Sequence, residues 1–273
     1  MLAHARSVYN RAMRRSLAVL GLLAWLACQA PVEAGGVREA DVAYTGSEGA
    51  MPARLYIPEG VGRRPGVLVL HGIDGPQPAI EAFARNLTAE GFVTLTPDLF
   101  SLHEFGSEGR VDHPLVLGDL AGALAFLKQL PEVDPARIGV VGFSFGGRLA
   151  VLAAAVRPEI RAAVDYYGVA SFQALASRRE IGGRALRSTP LTERVGAIGA
   201  AILVQHGEAD QTVPVEQGRL LHAALTGAGR RSLLYTYPGA DHVFNFPGSR
   251  HHPEAARLSW ERTVIFLREH LGR

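Results

Sequence analysis

Gly142-Phe143-Ser144-Phe145-Gly146-Gly147 fits G-x-S-x-G, the pattern that turns a serine hydroxyl out of a sharp strand-to-helix corner. The flanking sequence suits that corner. Apolar Ile138–Val141 reads as a strand, and the stretch to Val156 reads as a helix. Gly142 and Gly146 leave room for a nucleophile held at strained backbone angles, and Gly147 lets the helix pack closely. The helix N-terminus behind Ser144 favours negative charge developing nearby. Serine is a weak nucleophile without a base, and the base needs an acid to orient it.

Asp210 and His242 could fill those roles. Asp210 lies in His206-Gly207-Glu208-Ala209-Asp210, just after an apolar strand Ala201–Val204. His242 lies in Pro238-Gly239-Ala240-Asp241-His242, just after a strand Leu233–Tyr237. Both fall at C-terminal strand ends, as Ser144 does, and open α/β sheets bind ligands at that edge. The rival reading is a Gly-rich turn holding a serine, a turn aspartate and a surface histidine. Three agreeing placements favour the catalytic set. Asp165, which also ends a strand, is the reserve acid, and Asp241 reads as a turn residue. Two backbone N–H groups complete the site as an oxyanion hole: Phe145, after the nucleophile, and Ile73, in the loop His71-Gly72-Ile73-Asp74-Gly75. Each such donor stabilises a transition state by ~3 kcal/mol. His71 reads as structural.

These residues must be carried by alternating strands and helices. Strand-like runs recur at Val67–Leu70, Phe92–Thr96, Ile138–Val141, Ala162–Tyr166, Ala201–Val204 and Leu233–Tyr237. Their near-continuous apolar character suits a parallel sheet covered on both faces. Between them, Leu117, Leu120, Ala121, Leu124 and Leu127 share a helical face, Glu81–Glu90 ends at Gly91, and Trp260, Val264, Leu267 and Leu271 form a last stripe. Val37–Tyr44 and Ala53–Ile57 read as two edge strands. The prediction is an α/β fold with a mostly parallel twisted sheet, helices on both faces and right-handed crossovers. It forms one domain over residues 36–273.

The motifs together resemble the dienelactone hydrolase family of α/β-hydrolases. The resemblance rests on His71-Gly72-Ile73-Asp74-Gly75, Thr96-Pro97-Asp98-Leu99-Phe100, the Ser144 elbow, Tyr166-Tyr167-Gly168, His206 to Asp210, and Asp241-His242. They run in family order across about residues 55–270. The resemblance implies a hydrolase of esters or lactones with a nucleophile–His–Asp triad and no cofactor or metal. This chain departs from the family in carrying Ser144 where dienelactone hydrolases proper use cysteine. Gly72 stands where they carry a glutamate that manages the thiol, and Val243-Phe244-Asn245-Phe246 stands where an arginine holds the substrate carboxylate. A serine esterase of this family is the reading that follows. The alternatives are a peptidase or amidase of the same fold and a non-catalytic exported binding module.

Composition narrows the classes further. The 273 residues are 48% hydrophobic and 20% charged, which excludes general disorder and fibres. The formal charge of +2 depends on the start of the chain. Residues 1–34 carry four arginines against Glu33, and the remainder is −1. No nucleic-acid partner is implied. Arg14 and Arg15 precede the eleven-residue apolar run Leu17–Ala27, long enough for a secretory leader and too short for a membrane span. Val32-Glu33-Ala34 offers cleavage after Ala34, with Met1 or Met13 as the start. Lipid attachment at Cys28 and a retained anchor are the alternatives. Export to the periplasm or outside is the expectation. Cleavage leaves no cysteine, hence no disulfide and no thiol chemistry.

Residues 169–199 are long for a connection between strands and could cap the site. They carry Arg178, Arg179, Arg184, Arg187 and Arg194, candidates for holding an anionic substrate or for a solvated surface. Phe100–Pro114, with His103 and His113, reads as a rim of the site. His251 and His252 are adjacent and so cannot easily face one metal ion.

Overall fold

Alternate residues of the central strands serve two different cores, as period-two side chains of a sheet covered on both faces must. The computed structural model describes residues 36–99, 114–175, 180–181, 184–185 and 188–272, with 180–181 and 184–185 as backbone only. Val67 and Val69 face one core, and Leu68 and Leu70 face the other. The strands are β1 (Val37–Thr45), β2 (Ala50–Pro58), β3 (Arg64–Leu70), β4 (Val93–Pro97), β5 (Val133–Phe143), β6 (Ile160–Tyr166), the short pair β7 (Glu180–Ile181) and β8 (Arg184–Ala185), β9 (Ala201–Gly207) and β10 (Ser232–Tyr237). The main sheet has the order β1-β2-β4-β3-β5-β6-β9-β10. β1 with β2 and β2 with β4 are antiparallel, and every other neighbour pair is parallel.

Helices α1 (Pro78–Ala89) and α5 (Pro253–Leu271) bury Phe83, Leu87, Val264, Leu267 and Leu271 against one face. Helices α2 (Pro114–Gln129), α3 (Phe145–Val156) and α4 (Glu216–Gly227) bury Leu120, Leu124, Leu149 and Leu221 against the other. The predicted stripes on α2 and α5 are therefore the packed faces. The described residues belong to one compact unit within 34–273. Among them no helix is long and apolar enough to cross a membrane. The expected leader, with Cys28, lies outside the described residues.

Two expectations change. β2 is not an edge strand, because Ala53–Tyr56 pair with β4 while the opposite edge of β2 pairs with β1. β5 begins at Val133, five residues before the apolar run. A register shift between Pro65 and Gly66 lets Arg64 and Pro65 pair with Val133 and Asp134.

Candidate active site

Ser144 sits between the last residue of β5 and the first of α3, at φ 55° and ψ −115°. A non-glycine residue in such a conformation costs about 1–3 kcal/mol, so the surroundings must impose it. Here they do. The Ser144 N–H donates to the Tyr166 carbonyl of β6 at 2.8 Å. A Cβ on Gly142 would strike the Gly146 carbonyl, and one on Gly146 would strike the carbonyls of Leu70 and His71. The elbow thus closes only with glycine at both positions, and it lies directly on the end of β3.

The structure brings the three candidate side chains into one line. His242 Nε2 lies 3.0 Å from Ser144 Oγ, and His242 Nδ1 lies 2.7 Å from Asp210 Oδ2. A carboxylate can only accept, so Nδ1 carries the proton and Nε2 is left to accept from the serine hydroxyl. Asp210 Oδ1 accepts from the Thr212 and Val213 N–H groups at 2.8 and 2.7 Å. Burial opposes its charge, but hydrogen bonds from His206, His242 and Val213 hold its carboxyl well below the usual range. His242 is buried, and the Tyr167 ring packs on its imidazole with centroids 4.7 Å apart. The Tyr167 hydroxyl donates to Asn245 Oδ1 at 2.7 Å.

Asp165, the reserve acid, is buried beneath the elbow. Its Oδ1 accepts from the Gly168 N–H at 2.8 Å, and no hydrogen bond joins it to His242. Burial pushes its carboxyl up to about 6, against the lowering influence of His206, the Gly168 hydrogen bond and Arg148. Only glycine fits at 147 and 168, because a Cβ on either would meet Asp165 Oδ1. Asp241 lies in the connection between β10 and the turn that begins at His242. Its Oδ1 accepts from the N–H groups of both Gln211 and His242.

The proposed oxyanion donors flank Ser144. Gly72, Ile73 and Phe145 line the same cleft as Ser144 and His242. The Ile73 N–H donates no hydrogen bond among the described residues. A Cβ on Gly72 would lie 3.6 Å from Ser144 Cβ, so this glycine faces the nucleophile in open van der Waals contact.

The cleft holds about 490 Å³, and its walls are chiefly apolar, with Phe143, Val169, Phe172, Leu175, Val213 and Phe246 among them. Arg250 and Asp74 supply charge at its lining. Part of segment 169–199 is therefore wall and not a solvated surface. Leu191, Val195 and Ile198 anchor it in the core. Its latch is Arg148 of α3, wholly buried, which donates to the carbonyls of Val169, Ala170 and Thr189 at 3.1, 3.3 and 2.8 Å. Arg194 turns to Thr189 Oγ1. Arg178, Arg179 and Arg187, the side chain of Arg184, His103 and His113 lie outside the described residues. His252 caps α5 by accepting from the Ala255 N–H.

Sequence reasoning assigned no role to Arg148, His206 or Tyr167. His206 Nε2 donates to the Val213 carbonyl at 2.8 Å and lies 3.5 Å from Asp210 Oδ2. His206 and Tyr167 stand in quoted motifs, so their positions were visible while their contacts were not.

A mostly parallel sheet with helices on both faces and a serine elbow at its C-terminal edge defines an α/β-hydrolase. The chain belongs to the dienelactone hydrolase family, whose model matches residues 51–271. A Methylorubrum extorquens protein provisionally named carboxymethylenebutenolidase is 29% identical over 87% of this chain and 83% of its own. A Bradyrhizobium protein provisionally named 2-oxo-3-(5-oxofuran-2-ylidene)propanoate lactonase is 30% identical over 80% of this chain and 89% of its own. The solved structure of a Klebsiella pneumoniae protein, provisionally named dienelactone hydrolase, shares the fold. Its TM-score is 0.72 at 24% identity, covering 85% of this chain and 98% of the other. The chain is accordingly a hydrolase of this family.

Proposed function

We propose that this chain is an exported serine hydrolase of carboxylic esters and lactones, acting through Ser144, His242 and Asp210. The observation that carries the reading is the continuous line from Ser144 Oγ through His242 to Asp210 Oδ2, set in an apolar cleft. His242 Nε2 takes the hydroxyl proton as Ser144 Oγ attacks the carbonyl carbon. Asp210 keeps the imidazole in the Nδ1–H tautomer and stabilises the imidazolium that forms. The N–H groups of Ile73 and Phe145 receive the developing oxyanion. His242 then protonates the leaving alkoxide, and water, deprotonated by the same histidine, releases the acid from Ser144. The provisional names of the relatives point to lactones with a carbonyl of this kind. The arginine-led apolar run before Ala34 supports export.

The test is turnover of a p-nitrophenyl ester series, from short to long acyl chains, by the protein and its Ser144→Ala variant. Loss of turnover in the folded variant supports the reading. Equal turnover in both refutes it. A folded protein that turns over neither esters nor lactones is a binding module or a peptidase.

A further inference from the structure

We propose that His71 is a positioning residue for the oxyanion hole, aiming the Ile73 N–H at the reacting carbonyl by holding the other end of the same peptide unit. The inference rests on the assignment of Ile73 made above.

His71 directly follows β3 and is 2% exposed. Its two ring nitrogens have different partners. The Leu99 backbone N–H donates to Nε2 at 3.1 Å, so Nε2 bears no proton. Burial holds the ring below the ordinary histidine range, opposed by the Gly72 hydrogen bond and the Asp98 charge, and the imidazole is neutral near pH 7. A neutral imidazole with a bare Nε2 carries its proton on Nδ1. Nδ1 faces the Gly72 carbonyl oxygen at 2.7 Å and therefore donates to it. The Gly75 N–H donates to the same oxygen at 3.3 Å.

The Gly72 carbonyl and the Ile73 N–H belong to one planar peptide, which is trans. In a trans peptide these two groups point in opposite directions. Fixing the carbonyl on the His71 side therefore fixes the N–H on the other. That N–H has no partner among the described residues, and Ile73 lines the cleft with Ser144. Gly72 itself has no Cβ to stiffen the unit, so its peptide plane would rotate more freely without the two bonds on its carbonyl. The imidazole thus does for the oxyanion donor what Asp210 does for His242.

Two variants separate this role from simple packing. His71→Phe keeps a ring of similar size and loses the donor. His71→Asn keeps an amide N–H at the same bond count from Cα as Nδ1. Removing an oxyanion donor outright costs about 10²–10³ in kcat, and misaiming one costs less. The expected result is a drop of about 10- to 100-fold in kcat for His71→Phe, with KM within about threefold of the parent and most of kcat recovered in His71→Asn. Wild-type kcat in His71→Phe would overturn the proposal, and so would an equal loss in both variants. The unmodified protein gives an independent readout. Nitrogen-15 NMR of His71 should show the Nδ1–H tautomer at pH 7, and the Nε2–H tautomer would contradict it. Ser144→Ala, assayed in parallel, keeps the two claims apart. If it abolishes turnover while His71→Phe changes nothing, the serine mechanism stands and the role of His71 falls.

Discussion

The backbone N–H of Gln211, the residue after Asp210, donates at 2.9 Å to Oδ1 of Asp241, the residue before His242. The same oxygen accepts from the His242 N–H at 2.7 Å. One carboxylate thereby stitches together the two loops that carry Asp210 and His242. The strands beneath them, β9 and β10, are parallel neighbours. The sheet sets their separation, and Asp241 sets the last ångström.

Asp241→Ala removes the stitch while leaving the Ser144, His242 and Asp210 side chains in place. The side chain is partly exposed, so the stability loss should be about 1 kcal/mol. The loss in kcat should be larger in proportion, about tenfold, with little change in KM, because small displacements of a reacting geometry are expensive. Steady-state kinetics beside a denaturation curve would check this. A variant with unchanged kcat would show that the two loops hold their positions unaided.

Asp210→Asn and Asp165→Asn distinguish the two buried acids. An asparagine at 210 no longer enforces the Nδ1–H tautomer of His242, and comparable substitutions cost about 10⁴ in kcat. Asp165 makes no hydrogen bond to His242, so its variant should stay within about tenfold of the parent. The reverse ranking would make Asp165 the functional acid.

The same Asp165→Asn variant predicts a pH dependence of stability. The Asp165 carboxyl titrates near 6 in the folded state because burial disfavours its charge. The unfolded value is about 3.9. A raised folded pKa gives a stabilising contribution that is complete below pH ~4 and lost as pH rises through ~6. Asparagine does not titrate. Relative to the parent, the variant should therefore gain on the order of 3 kcal/mol between pH 4 and pH 8. Urea titrations at the two pH values measure it, and a pH-independent difference would contradict the buried protonation.

Arg148→Met should damage both fold and substrate binding. It leaves the carbonyls of Val169, Ala170 and Thr189 without their buried cation. Leaving a buried carbonyl without its donor costs about 1–3 kcal/mol. Val169 and Phe172 line the cleft, and Phe172 lies under the guanidinium at 5.3 Å, so KM should rise more than kcat falls. Arg148→Lys should not restore either, since one ammonium cannot reproduce the planar fork. Unchanged KM in a destabilised protein would mean that the wall holds its shape without the latch.

Much of this site was legible because its chemistry is tied to local sequence. Gly142, Gly146 and Gly147 around Ser144 announce a corner that only small residues can make. Asp210 and His242 follow apolar strands closely enough to be placed at one sheet edge. Other features are non-local and left no periodic signal. Arg148, in a stretch rich in glycine and alanine, carries no sequence signal of a role. Its burial depends on carbonyls 21 to 41 residues away. β2 reads as an edge strand because its pairing with β4 spans some forty residues that spacing does not reveal. The early start of β5 lies in Asp134-Pro135-Ala136-Arg137, turn-like residues drawn into the strand by pairing with Arg64 and Pro65. His71 reads as structural from the sequence, but only the bonds on its two nitrogens show which peptide it holds.

The most direct test of the central claim is intact-mass and peptide mapping after treatment with a fluorophosphonate. The serine mechanism predicts one adduct per chain, on the peptide containing Ser144, formed rapidly in the parent and absent in His242→Ala. An adduct on any other residue, or none on a folded protein that still hydrolyses esters, would contradict it.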